Sequence, residues 1–434
     1  MPYYQYTKTV QDNSTVTWTK GAKEFPSFEF LEQLVELPLE DAKQLNTEDK
    51  QLWLWIKIDR DKKAAGRGNS ICSAEPIPLL IDRKHFLRDS FEQFRTTVDL
   101  DLRKDIRICF LNEVSQDAGG LIREWISILM EKLFNPKLGL FVKADTEEIA
   151  YLINERCNKL EYYYFCGKII AKAFYERIPI KAYFSKIIWK QILGLKLELD
   201  DLKYCDKELY SSMKFIVDNP IPEGVDLGSF VTSKKDTIKK TSYVIELKED
   251  GANIPITEDN KDEFASLLFE KSFIEPTSQQ TEKLVLGFTS LISRPFITVL
   301  DPDELEYFLC GETTIDIKDW KTNTCYSSPY DSNHPLIQNF WLMVSKMSQR
   351  ELENFLQFCT GCRRVPAGGF KGLNEGANKI TPFKITPGSS NVGYILAHTC
   401  FNTIELPMYK DIDTMKKYVY EIINSPKSFQ FTSE

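Results

Sequence analysis

The spacing of apolar residues predicts a mainly helical protein from about Ile81 onward. The clearest pattern is LIREWISILMEKLF, which Gly119-Gly120 opens and Asn135-Pro136 closes. Further helices are predicted for LEYYYFCGKIIAKAFYE, for AYFSKIIWKQILG with Gly194 as its C-cap, for NKDEFASLLFEKSF and for SQQTEKLVLGFTSLI. Two short pieces, YVIEL and ITVL, read as strands among these helices.

The last quarter of the chain changes character. HPLIQNFWLMVSKM predicts a helix, and Ser348 with Glu351 predicts a capping box for RELENFLQFCTG, which ends at Gly361. Glycine- and proline-rich turns then separate the strand candidates PFKIT, GYILAHTC and TIELPMY, before a final helix DTMKKYVYEIIN. We therefore expect an α+β fold in which a large, mainly helical lobe precedes a small α/β lobe, with the boundary at Leu309-Cys310-Gly311.

Residues 1–80 have a different texture. An amphipathic stretch, FEFLEQLVELPLEDAKQL, precedes an aromatic cluster at Trp53 and Trp55. The polar segment DRDKKAAGRGNS then reads as an exposed linker or loop. We interpret this extension as a helical brace on the large lobe rather than an independent binding domain. The LEQLVEL stretch is either buried or offered to a partner.

Composition narrows the class of protein. The 434 residues are 42% hydrophobic and 12% aromatic, which is typical of a folded chain of more than one domain. A net charge of −8 argues against a non-specific nucleic-acid binder. No apolar run is long enough for a membrane span, and the first residues do not resemble a signal peptide. We expect a cytoplasmic protein, also compatible with the nucleus, whose ten cysteines are reduced.

Two short motifs suggest chemistry that the rest of the sequence does not support. Cys359 and Cys362 have C-x-x-C spacing, but they follow a helix instead of opening one, and no second pair completes a zinc site. With only three histidines, we expect neither a metal site nor a cofactor. The run Asp117-Ala118-Gly119-Gly120 lacks the phosphate-loop patterns, and Asp117 is more simply a helix N-cap.

The run His398-Thr399-Cys400-Phe401-Asn402 offers a nucleophile. Taken alone, it is more simply a strand end at which Cys400 packs and Asn402 starts a turn. If the strand continued through Cys400, the side chains of His398 and Cys400 would stand about 7 Å apart, too far for a hydrolase dyad. His334 stays open as a distant partner. Thioester exchange is the alternative, since it needs an exposed cysteine but no resident triad.

A series of motifs in fixed order from Ile81 to the last residue resembles the HECT family of ubiquitin-protein ligases. The large-lobe runs are IDRKHFLRDSFEQF, IRICFLNEVSQDAGGLIREWISILMEKLFNPKLGLF, LEYYYFCGKIIAKAFYERIPIKAYFSKIIWKQILG and IELKEDGANIPITEDNKDEF. The later runs are ELEYFLCGETTIDIKDW, NHPLIQNFW, FLQFCTGCRRVPAGGF and LAHTCFNTIELPMYKD.

The resemblance implies a two-lobed HECT enzyme that carries ubiquitin. The large lobe would span residues 81–308, with a subdomain at roughly 195–275 that docks a ubiquitin-conjugating enzyme. A flexible hinge at 309–312 would join it to the small lobe, 313–434. Ubiquitin would pass to Cys400 as a thioester and then to a lysine of a protein substrate.

The resemblance also implies supporting residues around that cysteine. His398, Thr399 and Asn402 flank Cys400 in the active-site run. Arg364 matches an arginine that helps to seat the two lobes, and Phe431 matches a phenylalanine, fourth from the end, that is important for transfer. The terminal carboxylate of Glu434 is a candidate to join it.

Some positions depart from the family pattern and keep alternatives open. Ile395 replaces a usual proline before the active-site run, and Asn354 replaces a frequent arginine at a lobe–lobe contact. A catalytically dead adaptor and a thiol hydrolase are therefore the other hypotheses. The base for lysine attack is unassigned, because Asp411, Asp413 and Glu434 are near Cys400 in sequence only. Substrate, ubiquitin linkage, conjugating enzyme, ubiquitin exosite and oligomeric state are not readable from the sequence.

Overall fold

The computed structural model describes a mixed helical and stranded protein, as the α+β prediction required. It describes residues 3–10, 16–23, 33–34, 36–66, 76–111, 113, 120–145, 150–182, 184–236, 241–312, 314–373, 382–388 and 393–424. The chain divides into two compact units. The first contains Met1–Asn135, Phe165–Ala182 and Gly287–Glu434, and the second contains Pro136–Tyr164 and Tyr183–Leu286.

The helices and strands follow in chain order. The helices of the first half are α1 (Leu39–Ala42), α2 (Thr47–Gly66), α3 (Phe86–Thr96), α4 (Asp99–Leu102), α5 (Gly120–Leu133), α6 (Leu160–Tyr175), α7 (Lys186–Leu193) and α8 (Lys207–Asp218). Those of the second half are α9 (Lys261–Phe269), α10 (Ser278–Leu291), α11 (Arg294–Ile297), α12 (Pro302–Cys310), α13 (Ile317–Thr322), α14 (Pro335–Val344), α15 (Gln349–Thr360) and α16 (Ile412–Asn424).

The strands form small sheets. They are β1 (Tyr3–Val10), β2 (Val16–Lys23), β3 (Ile77–Ile81), β4 (Ile106–Phe110), β5 (Phe141–Lys143), β6 (Tyr151–Ile153), β7 (Val231–Asp236), β8 (Thr241–Glu246), β9 (Thr324–Tyr326), β10 (Phe383–Pro387), β11 (Leu396–His398) and β12 (Thr403–Leu406). The first eight strands pair in sequence as four two-stranded sheets, of which only β3–β4 is parallel.

Most of the predicted helices are confirmed, because their apolar stripes and end signals agree. Gly194 ends α7 in the left-handed conformation, with φ 78°. The Ser348–Glu351 capping box opens α15, and Gly361 ends it with φ 79°. Asp117, predicted as an N-cap, lies outside the described residues.

Two local predictions are wrong. ITVL is not a strand: α11 runs to Ile297, and the buried Val299 and Leu300 follow it in a turn. DRDKKAAGRGNS is not a loop over its first eight residues, because α2 continues to Gly66. Tertiary contacts explain the second error, since polar side chains that seemed solvated are paired with other elements.

Those pairs hold α2 against neighbouring helices of the first unit. Asp59 accepts from Arg177 at 2.6 Å, and Lys62 donates to Glu176 at 2.8 Å. The Trp55 ring packs on Phe174, with 5.0 Å between ring centroids. The extension therefore contains a helix whose polar side faces protein, as a brace would.

Residues 315–423 enclose a hydrophobic core of their own. Strands β11, β12, β10 and β9 form one four-stranded sheet in that order, with β11 antiparallel to β12 and β10 parallel to both of its neighbours. Helices α14, α15 and α16 contribute the apolar faces that pack in this core. Ile395, one of the departures from the family pattern, is buried in this core.

The predicted hinge lies where α12 ends. Gly311 has φ 68° and ψ −158°, a backbone conformation that residues other than glycine rarely adopt. The Glu312 amide then donates to the Val365 carbonyl at 2.9 Å. The lobe limits at 309–312 stay a prediction.

Across the described residues, no helix combines the length and the apolar character that a bilayer crossing requires.

Candidate functional site

The HTCFN run folds into a tight turn at the edge of the four-stranded sheet. The edge strand β11 stops at His398, and the backbone of Thr399–Phe401 forms one 3-10 turn with Cys400 at its centre. The strand that we predicted through Cys400 is therefore too long. Phe401 is 48% exposed, so the turn lies at the surface of the protein.

Asn402 ends the turn in the left-handed region, with φ 47° and ψ 38°. Asparagine tolerates this conformation better than most residues with a side chain. Its amide donates to Thr399 O at 3.3 Å, and its carbonyl accepts from the Lys384 amide of β10 at 2.9 Å. Thr399 and Asn402 are both buried, so the two residues that flank Cys400-Phe401 are built into the fold.

His398 is oriented by a carboxylate. Its Nε2 lies 2.8 Å from Glu405 Oε1 on the neighbouring strand β12, and both side chains are partly exposed. Sequence reasoning did not assign a role to Glu405. The antiparallel pairing of β11 with β12, which places His398 opposite Thr403, is what brings the two side chains together.

Arg123 reaches this turn from α5. Its Nη1 donates to Asn402 Oδ1 at 2.9 Å, and its Nη2 donates to Thr399 O at 2.9 Å. The guanidinium is only 5% exposed. In the sequence, Arg123 is part of the REW run, and no role was predicted for it. Nothing in the sequence pairs it with Thr399 or Asn402, which lie 276 and 279 positions further along the chain.

Arg364 lies near Arg123 but holds a different segment. Its Nη1 donates to the carbonyl of Glu312, the last residue of the predicted hinge, at 3.1 Å, and the side chain is buried. Arg123 and Arg364 line a small cleft together with the end of α15 at Thr360 and with Cys362, which follows it. Phe431 and Glu434 lie outside the described residues, so their predicted roles stay predictions.

Several other residues singled out from the sequence make hydrogen bonds within their own helix or the neighbouring one. His334 Nδ1 accepts from the Leu336 amide as the N-cap of α14, and Asp411 Oδ1 accepts from the Thr414 amide at the start of α16. The hydrogen bond from the Thr414 amide holds the pKa of Asp411 below its ordinary value. Asn354, the second departure, donates to the Ile423 carbonyl at 3.4 Å, inside the small predicted lobe.

The C-x-x-C pair is buried at the end of α15. Both thiols are free, and burial raises the pKa of each. A raised pKa suppresses the thiolate, which is the form that attacks electrophiles and binds metals. Within the part of the chain that the structure describes, no group of three or more histidine, cysteine or acidic side chains is arranged to hold a metal ion.

Several large apolar side chains on and beside β11 and β12 are exposed. They are Tyr394, Leu396, Phe401 and Met408. Leu396 and His398 are two residues apart on β11, so they project from the same face of the strand. Apolar side chains that cluster at a surface are typical of a place where another macromolecule docks.

Comparisons with known proteins agree with this arrangement. A family model described as HECT-domain (ubiquitin-transferase) matches residues 127–432. The chain is 35% identical over 357 residues to "E3 ubiquitin-protein ligase Nedd-4" of Drosophila melanogaster, and this alignment covers 81% of the chain and 35% of the relative. It is 33% identical over 364 residues to "E3 ubiquitin-protein ligase TOM1-like" of Neurospora crassa, with 82% and 9% covered.

A human relative, "E3 ubiquitin-protein ligase HECW2", is 31% identical over 358 residues, with 81% of the chain and 22% of the relative covered. The chain thus spans only 9% to 35% of the length of these three curated relatives. The family match itself covers well over half of the chain and includes the HTCFN turn and its sheet. The chain therefore belongs to the HECT-domain (ubiquitin-transferase) family.

Proposed function

We propose that this protein is a ubiquitin-protein ligase that accepts ubiquitin from a conjugating enzyme as a thioester on Cys400 and transfers it to a substrate lysine. The observation that carries the proposal is the HTCFN run folded as a surface turn within a matched HECT domain. The names of all three relatives described above contain the words "E3 ubiquitin-protein ligase".

Both chemical steps need only one cysteine. In the first, the Cys400 thiolate attacks the thioester carbonyl, a new C–S bond forms, and the thiolate of the conjugating enzyme departs. In the second, a lysine amine attacks the Cys400 thioester, an amide forms, the Cys400 thiolate departs and the amine loses a proton. The protein must hold donor and acceptor in line with the sulfur in turn.

The residues that flank Cys400 fit supporting roles in transfer. Thr399 and Asn402 shape the turn, and the imidazole of His398 directly precedes it in sequence. Arg364 would seat the small lobe through the carbonyl of Glu312 at the end of the hinge. Phe431 would act at the C-terminal end.

Two surfaces suit protein partners. The exposed apolar side chains on and beside β11 and β12 fit the docking of ubiquitin, whose carboxyl end must reach Cys400. In the second compact unit, Phe215 and Val244 are 69% and 67% exposed within the segment 195–275 that we assign to conjugating-enzyme docking. Large apolar side chains left this exposed favour a protein–protein interface.

A thioester trap tests the proposal. The chain is incubated with ubiquitin, activating enzyme, ATP and a panel of conjugating enzymes, and the products are separated with and without reductant. We expect a reductant-sensitive ubiquitin adduct that Cys400→Ala abolishes, while the matched variant Cys325→Ala, at an exposed cysteine on β9, still forms it. No adduct from a folded chain that still binds charged conjugating enzyme would favour the adaptor. An adduct that releases ubiquitin to water but not to amines would favour the hydrolase.

A further inference from the structure

The turn that carries Cys400 is gripped at both ends by one side chain from outside its own sheet. Arg123 Nη2 contacts the carbonyl of Thr399, directly before the cysteine, and Nη1 contacts the side chain of Asn402, two residues after it. Both distances are 2.9 Å. A planar guanidinium suits this task, because its parallel N–H bonds constrain two acceptors at once.

The direction of Arg123 is set by the two residues that follow it. Glu124 is buried and accepts from Arg83 Nη1 at 2.8 Å, while Trp125 Nε1 donates to Ser90 Oγ at 2.9 Å. Since consecutive helical residues point about 100° apart, these contacts fix the rotation of α5 about its axis.

Arg83 is itself held firmly. It bonds Glu113 as well as Glu124, and its guanidinium lies 3.8 Å from the centroid of the Phe110 ring. Burial opposes its charge, but the two carboxylates raise the pKa of Arg83 above its ordinary value. The Arg123 fork is therefore aimed by a rigid second layer of contacts, as precise positioning requires.

The other side of the contact is equally constrained. The carbonyl of Asn402 is bonded to β10, so its backbone cannot move without the sheet. Its side chain is fully buried against Arg123. The guanidinium thus links α5 to a turn whose backbone is itself bonded to the sheet.

From this geometry we infer that Arg123 is a positioning residue that holds the Cys400 turn for the transfer of ubiquitin to lysine. The inference rests on the proposed function and deepens it. One cysteine must meet two different partners, so a contact that ties its turn to α5 serves one of the two arrangements. We assign lysine transfer to Arg123 and not loading, because the segment proposed to dock the conjugating enzyme, 195–275, belongs to the second compact unit, whereas α5 and the Cys400 turn belong to the first.

The test separates the two steps in single turnovers of the full chain. Loading is followed as the adduct on Cys400, and discharge is followed after a chase with excess free lysine. The variants are Arg123→Gln, Arg123→Lys and Asn402→Gly, since glycine keeps the left-handed conformation but removes the acceptor. Arg95→Gln is the matched control, because Arg95 is an exposed arginine on α3 that pairs with Glu92 of the same helix.

We expect Arg123→Gln to slow discharge to lysine by about 10- to 100-fold while loading changes by less than about twofold. Arg123→Lys should fall between this variant and the wild type, because it keeps the charge but not the fork. Asn402→Gly in the Arg123→Gln background should cost less than the product of the two single effects, since both remove the same contact.

Other results would overturn the inference in distinguishable ways. Equal losses in loading and discharge, with a lower melting temperature, would make Arg123 a structural residue. Faster discharge would make the contact a latch that restrains the turn, and wild-type rates would remove any role. A wild-type chain that forms no adduct overturns the proposed function itself, and the positioning role falls with it.

Discussion

His398 and Glu405 face each other from neighbouring strands, two residues before Cys400 and five after it. In the tautomer in which Nε2–H donates to the carboxylate of Glu405, the other ring nitrogen, Nδ1, is left as an acceptor. That tautomer suits a group that takes a proton from an attacking amine. The pair therefore supplies a geometric candidate where sequence proximity alone offered three unassigned carboxylates.

Glu405→Gln should slow discharge of ubiquitin from Cys400 to lysine by roughly 10-fold. The reason is that an amide can donate as well as accept, so it no longer favours a single histidine tautomer. Single-turnover discharge of the loaded enzyme measures the effect, with Glu421→Gln, an exposed glutamate of α16, as the control. Unchanged discharge would indicate that the pair only stabilises the edge strand β11 against β12.

Cys359 and Cys362 should resist alkylation in the native protein. Burial raises the pKa of both thiols, although the charge of Arg123 opposes this for Cys362. Exposed Cys325 should react with iodoacetamide before either of these two thiols at neutral pH. Peptide mapping after brief labelling decides the matter. Rapid modification of the C-x-x-C pair would revive a redox or metal reading of that motif.

At the scale of elements, α2 and α12 are joined by a buried carboxylate. Glu304 accepts from Lys50 at 3.0 Å and from Thr47 at 2.8 Å, while its other task is the capping box at Asp301. The helix α12 ends at the predicted hinge. The N-terminal extension thus contacts the element that leads into the hinge.

Glu304→Gln should lower the free energy of unfolding by about 2 kcal/mol. Glutamine keeps the capping bond but leaves Lys50, which is only 12% exposed, without its counter-charge. Urea unfolding measures the loss. The control is Lys43→Gln, which removes an exposed pair with Glu40 and should change stability by less than about 0.5 kcal/mol. Equal effects from both variants would argue that the brace is not energetically coupled to α12.

Gly311 has consequences for the whole molecule, because it lies in the stretch of chain that connects residues 313–434 to the preceding helices. A Cβ atom there would lie 2.0 Å from the Val365 carbonyl oxygen, and the φ of 68° disfavours any side chain. The neighbouring contacts of Glu312 with Val365 and Arg364 depend on this close approach.

Gly311→Ala should therefore destabilise this connection and expose it. We expect faster cleavage by a non-specific protease close to the hinge and a lower melting temperature. Gly224→Ala separates the causes, because Gly224 has a φ of 83° but nothing within 4 Å of the added atom. If both alanine variants behave alike, backbone strain alone explains the effect and the close approach to Val365 is unimportant.

The sequence by itself determined the local elements whose signals agree. Apolar stripes predicted α5, α6, α7 and α15, and end signals supported both ends of α5 and α15 and the C-terminal end of α7. A helix needs only residues close in sequence to define its buried face and its ends. The ordered motifs also pointed to the family and to Cys400 as its nucleophile. These properties are written in one continuous stretch at a time.

Tertiary structure decided what depends on residues far apart in the chain. It extended α2 through a polar segment, because Asp59 and Lys62 find charged partners more than 100 residues away. It brought Arg123 to the Cys400 turn and Glu405 to His398. No spacing rule encodes such pairs, since a buried charge is stable only where the completed fold supplies its partner.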